Sequence, residues 1–305
     1  MNDVEKADTV PDASGRLASG ARADIDVYRL ESGDFLLFAH LKQETADGGE
    51  AFLREAVQRV PGSAIVIGRA LKTPDRSEPL APLWLVPERQ GTPLVAVERG
   101  LRYALEVEQV LNPGLFLDQE RNRARLTELV RAAGVADAAL LNLFSYTGSF
   151  SVAARAGGIS QTTSVDVSAR YLAWERRNWE TNFGEGAAPR LIKDDARDFV
   201  RRASKKETRY RFIVVDPPTF SRGQGKAFRV RGELVPLVEG ALACFPDDGP
   251  AALLASTNDA GFFEPEFNAE LEQLARRKGL RFERGIVPEG FRDTHAKSAW
   301  LLRDL

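Results

Sequence analysis

The stretch RFIVVDPPTFS, residues 211–221, places the apolar run FIVV directly before an aspartate and two prolines. Proline has no backbone N–H to donate to a sheet and its ring fixes φ, so a strand is predicted to end at Val215, followed by a stiff backbone. An acidic, rigid turn at the carboxyl end of a strand suits a reactive site. The same turn could also do no more than end the strand. The surrounding sequence has to decide between a reactive site and an ordinary strand end.

From about residue 114, short apolar segments alternate with segments of helical spacing. ALLNLFS precedes SFSVAARAG, TTSVD precedes SARYLAWERRNWETN, RLIKDD precedes ARDFVRRAS, and AALLAS precedes PEFNAELEQLARRKG. This alternation predicts a mostly parallel sheet with helices on both faces. The closing segments LRFERGI and SAWLLRD have no helix between them and are predicted to pair antiparallel. Ligands of such sheets bind outside the carboxyl ends of the strands.

The N-terminal third of the chain has a different pattern. Residues 1–23 are polar and are predicted to form a flexible tail. Residues 24–110 carry strand-like runs such as FLLFAHL and SAIVIGRAL around one helical stretch, EAFLREAVQRV, and predict a small α+β domain. Residues 111–305 would then form the larger α/β domain.

Composition excludes several classes of function. The 305 residues carry a formal net charge of -2, unlike a dedicated nucleic-acid binder. With one cysteine, Cys244, and two histidines, His40 and His295, no disulfide within the chain and no zinc site of the Cys/His type is expected. No apolar run reaches membrane-spanning length and the N-terminus lacks a signal-peptide core, so a cytoplasmic location is expected.

Three motifs fall where predicted strands end. NLFSYTGSF, residues 142–150, has one glycine where a phosphate-binding dinucleotide loop would have three, so dinucleotide binding is disfavoured. Asp166, in SVDVS, could accept hydrogen bonds from both ribose hydroxyls, and Asp195, in KDDA, could reach an adenine amine. An ordinary turn and two helix-capping acids would explain the same residues. Together the three motifs describe a nucleoside pocket without a phosphate cradle.

The order and spacing of NLFSYTGSF, VDVS, DDA and VVDPPTFS resemble those of class I S-adenosylmethionine-dependent methyltransferases. More narrowly, the chain is similar to the bacterial large-subunit ribosomal RNA methyltransferases of the guanine-N7 and cytosine-C5 group, and GLFLDQERNR, residues 114–123, resembles that group's segment before the cofactor domain. The resemblance spans residues 90–305. It implies a Rossmann-like doubly wound sheet of seven strands with an antiparallel last strand, and S-adenosyl-L-methionine as cofactor.

The resemblance also implies roles for individual residues. The cofactor would be bound by Phe116, Asp118, Gln119, Asn142, Ser145, Tyr146, Thr147, Gly148, Asp166, Val167, Asp195, Ala196 and Asp216. The turn that faces the methyl group and the target base would consist of Asp216, Pro217, Pro218 and Phe220. For Arg121 and Arg123, a solvated helix face is an equally good explanation.

Only a few residues bear on which atom accepts the methyl group and on which substrate is bound. Cytosine-C5 enzymes of this group carry a cysteine after the fifth strand, where this chain has ASTND, and Cys244 lies in an apolar helical context, so a nitrogen acceptor is favoured. The cation-rich loop SRGQGKAFRVRG could hold ribosomal RNA phosphates. The candidate substrate-binding residues are Ser221, Arg222, Lys226, Arg229, Asn258 and His295. Methylation of a protein or small molecule, or a non-catalytic role in ribosome assembly, remain alternatives.

Overall fold

The computed structural model describes residues 14–19, 22–44, 49–60, 62–73, 76–186, 188–218, 228–291 and 295–305. The chain divides into two compact units, Met1–Leu117 and Asp118–Leu305. The division follows Leu117, whereas the sequence pattern predicts a boundary after residue 110. No helix within the described ranges combines the length and the apolar character that crossing a membrane requires.

The first unit is built on a five-stranded sheet in which the strands lie in chain order. Its elements are β1 (Gly15–Ser19), β2 (Ala23–Arg29), β3 (Phe35–Leu41), α1 (Glu50–Val57), β4 (Ala64–Lys72) and β5 (Ser77–Trp84), followed by the hairpin of β6 (Leu94–Glu98) and β7 (Leu101–Leu105). Neighbouring strands are antiparallel except β3 and β4, which α1 connects as a parallel pair. Pro79 and Pro82 lie on β5, an edge strand, which is where sheets tolerate proline.

The prediction of a flexible tail over residues 1–23 is wrong for residues 15–19. They form β1, which pairs with β2, and Leu17 and Ala18 are buried against the sheet. The polar residues that suggested a tail are partners across the strands, since Arg16 forms an ion pair with Asp26 and Ser19 donates a hydrogen bond of 2.7 Å to Asp24. Residues 1–13 and 20–21 lie outside the described residues.

The second unit is a seven-stranded sheet between two layers of helices. Its elements are α2 (Glu120–Ala133), β8 (Ala139–Leu143), α3 (Ser149–Gly157), β9 (Gln161–Asp166), α4 (Ala169–Phe183), β10 (Arg190–Lys193), α5 (Ala196–Lys205), β11 (Phe212–Val215), α6 (Val230–Leu242), β12 (Ala251–Thr257), α7 (Glu264–Arg277), β13 (Arg281–Arg284) and β14 (Lys297–Arg303). The strand order is β10-β9-β8-β11-β12-β14-β13, with β14 antiparallel to both of its neighbours. The predicted doubly wound sheet with an antiparallel last strand is confirmed.

Alternate residues of each central strand supply the cores of the two faces. Phe212 and Val214 pack with the side chains of α2 and α3, whereas Ile213 and Val215 pack with those of α5, α6 and α7. Because both faces are covered, the central strands are continuous apolar runs. FIVV is such a run, which places the end of β11 in the middle of the sheet.

Two predicted helix boundaries are confirmed. Gly134 ends α2 with φ 57°, and the Ser168 side chain caps α4 by accepting a hydrogen bond from the Tyr171 N–H. Both boundaries act through local chemistry, since glycine adopts a left-handed φ at little cost and serine satisfies a free N–H at a helix start. Gly134 ends α2 ahead of the first residue of β8, and Ser168 begins α4 directly after the carboxyl end of β9.

Candidate active site

The parallel pairing brings the carboxyl ends of four strands to one edge of the sheet. Leu143 pairs with Val165 on one side and Val215 on the other, and Val215 pairs in turn with Ala255. The next residues along the chain begin the β8–α3 turn, the acidic end of β9 and the DPP turn. The register therefore assembles motifs that are spread over residues 144–218 of the chain.

The β8–α3 turn, residues 144–148, has an unusual backbone. Phe144, Tyr146 and Gly148 all have positive φ, at 57°, 51° and 76°. The turn is held by hydrogen bonds from Ser145 N to Val165 O (3.1 Å) and from Gly148 N to Ser145 O (2.8 Å). Non-glycine residues rarely adopt this conformation, and it persists only where surrounding contacts hold it, which is common at functional sites.

Gly148 is required for a second reason. A Cβ at this position would lie 2.2 Å from Cγ of Glu175, a buried residue of α4. The turn therefore lies directly on the Glu175 side chain, with no room for even a methyl group. Thr147, also buried, accepts a hydrogen bond of 2.8 Å at its carbonyl from the Asn178 amide.

Asp166 binds the backbone on both sides of its strand end. Its Oδ2 accepts from Tyr146 N at 3.0 Å and its Oδ1 accepts from Ser168 N at 2.8 Å. Desolvation raises the pKa of this carboxyl, although the backbone hydrogen bonds oppose the rise. Each oxygen of a carboxylate has two lone pairs, so both retain capacity for a ligand donor. Val167, the next residue, is exposed.

Asp195 is the N-cap of α5, which is the local alternative that the sequence left open. Its Oδ1 accepts from Arg197 N at 2.8 Å and its Oδ2 forms an ion pair of 2.6 Å with the Arg197 guanidinium. The hydrogen bond from Arg197 is the main reason that the pKa of Asp195 is lowered. Ala196 is buried, and Asp194 N donates to Asp166 O at 3.1 Å, which ties the ends of β9 and β10 together.

Asp216 directly follows β11 and faces the end of β12. Ser256, fully buried, donates a hydrogen bond of 2.6 Å to Asp216 Oδ1. Desolvation raises the pKa of Asp216, whereas the Ser256 hydrogen bond and the charge of Arg123 lower it. Pro217 is buried and Pro218 is exposed. The carboxylate is thus held in one orientation at the edge where ligands bind.

Arg123 does not lie on a solvated face of α2, which was one of the two explanations that the sequence left open. Its side chain is buried, whereas Arg121 is exposed and forms an ion pair of 3.4 Å with Glu120. Arg123 lies three residues before Leu126 on the buried face of α2. That spacing was the signal in the sequence that could have separated it from Arg121.

The start of α2 is anchored by a buried amide. Asn122 donates to Gln119 Oε1 at 2.7 Å and to Ser298 Oγ at 3.0 Å. Gly285 leaves space for this contact, because a Cβ there would lie 1.8 Å from Ser298 Oγ. Gln119, a predicted cofactor residue, is therefore linked to Ser298 of β14 through Asn122. Neither Asn122 nor Ser298 was among the residues predicted from the sequence.

The remaining predicted site residues lie in several places. Asp118 is half-buried beside Gln119, and Phe116, in the first unit, is partly exposed. Asn258 and His295 are exposed, and Lys297 Nζ donates to the His295 carbonyl at 2.7 Å. Arg229 is an exposed residue at the start of α6. Phe220, Ser221, Arg222 and Lys226 lie outside the described residues.

Comparison with known proteins identifies the family. A family model described as S-adenosylmethionine-dependent methyltransferase matches residues 32–294. The chain belongs to this family. Among proteins related to this methyltransferase chain, ribosomal RNA large subunit methyltransferase K of Neisseria meningitidis is 31% identical over 217 residues, which cover 70% of this chain and 58% of the relative. A ribosomal RNA large subunit methyltransferase of Deinococcus radiodurans is 31% identical over 215 residues, covering 70% and 50%. The methyltransferase chain spans about half the length of the curated relatives it matches.

Solved structures resemble the methyltransferase chain over most of its length. SMU.776, solved as a complex with SAH, is 25% identical with a TM-score of 0.72, and the match covers 93% of this chain and 72% of SMU.776. The SAM-dependent methyltransferase of Agrobacterium tumefaciens has a TM-score of 0.70 at 18% identity, covering 96% and 92%, and shows the shared fold.

The residues at the strand ends fit the cofactor of this family. Asp166 retains acceptor capacity for a ribose diol, and Ser145 Oγ is a buried oxygen without a partner among the described residues. The β8–α3 turn has no run of glycines that would admit a pyrophosphate. A nucleoside with a charged amino-acid end, such as S-adenosylmethionine, matches this donor and acceptor set better than a dinucleotide.

Proposed function

We propose that this protein transfers a methyl group from S-adenosylmethionine to a base of large-subunit ribosomal RNA, with guanine N7 as the acceptor. The observation that carries the proposal is the row of strand-end carboxylates Asp166, Asp195 and Asp216 along one edge of a sheet of this family. Bound S-adenosylmethionine supplies an electrophilic methyl group on a sulfonium. The protein's part is to bind and orient both reactants, since an in-line displacement depends strongly on positioning.

The proposed cofactor contacts follow the strand ends. Asp166 accepts from the ribose hydroxyls, with Val167 beside it, and Asp195 lies next to the adenine with Ala196. Ser145 and its neighbours in the β8–α3 turn surround the methionine end. The ion pair of Asp195 with Arg197 bears on this assignment, because an adenine amine would share the carboxylate with that guanidinium. Asn142 contributes from beneath the turn, where its amide donates to Ser151 Oγ at 2.9 Å.

The turn at Asp216 is proposed to face the target base. Guanine N7 has an exposed lone pair, so the methyl group can be accepted without prior removal of a proton. Asp216 would accept a hydrogen bond from an amine or imino N–H on the base edge, and Pro217 and Pro218 keep the turn rigid. Phe220 would stack on the base, as aromatic side chains do for extruded nucleobases.

The buried position of the chain's one cysteine supports a nitrogen acceptor. Cytosine-C5 transfer requires a thiolate that first attacks the ring, but Cys244 is buried in the α6 side of the core. Burial raises the pKa of its thiol, which lowers its thiolate fraction further. At the end of β12, Ser256 already donates its proton to Asp216 and is too weak an acid to act as the nucleophile.

The RNA substrate is inferred from the relatives, which are ribosomal RNA large subunit methyltransferases. The experiment that tests it compares modified nucleosides of ribosomal RNA, by mass spectrometry, from cells with and without the gene. We expect one 7-methylguanosine to disappear from the large subunit and to return when the purified protein and S-adenosylmethionine are added to that RNA. An unchanged nucleoside profile together with failure to methylate the RNA in vitro would overturn the proposal.

A further inference from the structure

A buried chain of hydrogen bonds runs beneath the β8–α3 turn. Asn142 Nδ2 donates to Ser151 Oγ at 2.9 Å, Ser151 and Ser164 share a hydrogen bond of 2.9 Å, and Ser164 Oγ donates to Glu175 Oε1. All four residues are at most 1% exposed. They come from four elements: β8 pairs with β9, α3 packs against both strands, and α4 packs against β9 and α3.

The direction of each hydrogen bond follows from the carboxyl end of the series. Ser164 donates its single proton to Glu175, so Ser151 is the donor in the hydrogen bond that it shares with Ser164, and Ser151 Oγ accepts from the Asn142 amide. Ser164 in turn directs its proton to Oε1 of Glu175. The hydroxyl protons of Ser151 and Ser164 are therefore both engaged in hydrogen bonds, and Oε1 of Glu175 acts as an acceptor.

The second carboxyl oxygen of Glu175, Oε2, lies at the end of this series of hydrogen bonds. Oε2 of Glu175 and Oγ of Ser145 are both buried, and neither has a hydrogen-bond partner among the described residues. The Ser145 hydroxyl is nonetheless close enough to influence the Glu175 carboxyl. A proton on Oε2, donated to Ser145 Oγ, would satisfy both oxygens at once. Left unpaired, each of these buried groups would lose its hydrogen bonds to water and gain none in return.

We propose that Glu175 is a positioning residue that works as a neutral acid: it accepts from Ser164, donates to Ser145, and so leaves the Ser145 proton free for the methionine end of S-adenosylmethionine. When Glu175 is ionised, its Oε2 draws the Ser145 proton inward, and the hydrogen bond to the cofactor carboxylate is lost. This inference rests on the proposed function. It adds that cofactor affinity depends on the protonation of a residue that does not itself touch the cofactor.

The surroundings of Glu175 raise its pKa, so that the neutral acid predominates below about pH 7. Desolvation raises its pKa to about 7, the hydroxyls of Ser164, Ser145 and Ser151 lower it, and the charge of Asp166 at the end of β9 raises it. Of the other charged groups on neighbouring elements, Arg155 of α3 donates to the Ile159 carbonyl at 2.8 Å, and Arg190 and Lys193 of β10 are exposed. The site is therefore poised to change protonation within the physiological range.

The test measures binding of S-adenosylhomocysteine by calorimetry at about pH 6 and about pH 8.5, on either side of the Glu175 pKa of about 7. Glu175→Gln is the matched variant, because its amide can accept from Ser164 and donate to Ser145 at every pH. We expect the wild-type affinity to fall about tenfold or more between the two pH values, as for a lost hydrogen bond to a charged group, and the Glu175→Gln affinity to stay nearly constant.

Two further measurements keep the outcomes distinct. Ser145→Ala should bind weakly at both pH values. The infrared carbonyl band of the protonated Glu175 carboxyl should be present in wild type at about pH 6, below its pKa of about 7, and absent from Glu175→Gln. Equal pH dependence in wild type and Glu175→Gln, or no such infrared band, would overturn the role of Glu175 alone. A wild-type protein that binds no cofactor at either pH would overturn the proposed function as well.

Discussion

Ser256 donates a hydrogen bond of 2.6 Å to Asp216 Oδ1, and the two residues lie at the ends of adjacent parallel strands, 40 positions apart in the chain. The contact fixes the orientation of the carboxylate at the centre of the proposed active site. It also lowers the pKa of Asp216 against the effect of desolvation.

Replacing Asp216 should separate binding from chemistry. In Asp216→Ala we expect S-adenosylhomocysteine to bind within a few-fold of wild type, whereas methyl transfer falls about 10²–10³-fold, because the group proposed to face the base edge is lost. Single-turnover assays and calorimetry on the same preparation provide the two readouts. Asp198→Asn is a suitable control, since the Asp198 side chain forms a surface ion pair with Arg201. Unchanged turnover in Asp216→Ala would contradict the role of Asp216.

Removing the Ser256 hydroxyl should change the pH dependence of the reaction. The hydrogen bond lowers the pKa of Asp216, so the pKa should rise in Ser256→Ala, and a higher pH is then needed to ionise the carboxylate. We therefore expect the acidic limb of the pH profile of kcat to move to higher pH, with activity recovering at alkaline pH. An acidic limb that stays in place would show that Asp216 is not the titrating group.

Asp166 should control cofactor affinity. Asp166→Ala removes the acceptor proposed for the ribose and also frees the backbone N–H groups of Tyr146 and Ser168. We expect the Kd for S-adenosylhomocysteine to rise about tenfold to a hundredfold, as for the loss of hydrogen bonds to a charged group. Asp166→Asn separates the two effects, because its amide oxygen can still accept from one backbone N–H. A wild-type Kd in Asp166→Ala would exclude a ribose contact.

Gly148 should tolerate no side chain. An added Cβ would meet Glu175 Cγ at 2.2 Å, and the φ of 76° is unfavourable for alanine. We expect Gly148→Ala to lower the free energy of unfolding by about 2–4 kcal/mol, from overpacking and backbone strain together. Gly186→Ala is the matched control, since a Cβ there meets nothing within 4 Å. Urea denaturation of the two variants provides the measurement, and equal stabilities would show that the turn is not held against Glu175.

Glu175 should also make stability depend on pH. Its pKa is raised from 4.5 to about 7, so between these values the folded protein binds more protons than the unfolded chain and stability falls as the pH rises. The predicted loss for this one group is about 3 kcal/mol across that range. The difference in unfolding free energy between wild type and Glu175→Gln, measured at several pH values, isolates it from other carboxyls. A difference that stays constant with pH would place the Glu175 pKa near its ordinary value.

Local patterns determined much of this protein. The apolar runs, the helix boundaries at Gly134 and Ser168, and the end of β11 before Asp216 all follow from properties of adjacent residues, and the structure has them where the sequence predicts them. The strand ends that carry Asp166 and Asp195 follow in the same way. Propensity, capping and proline chemistry act within a few residues, so they can be read without knowing the fold.

The tertiary structure decided the contacts between those segments. Arg16 and Ser19 looked like tail residues until β2 supplied Asp26 and Asp24 as their partners. Glu175 and Ser164 are unremarkable polar residues in the sequence, and only the pairing of β9 with β8 and the packing of α4 bury them beneath Gly148. Burial and hydrogen bonding between distant residues depend on strand register and helix packing, which no local stretch of sequence contains. For that reason the sequence alone could place the carboxylates at the edge of the sheet, but the ionisation and orientation of each were decided by the fold.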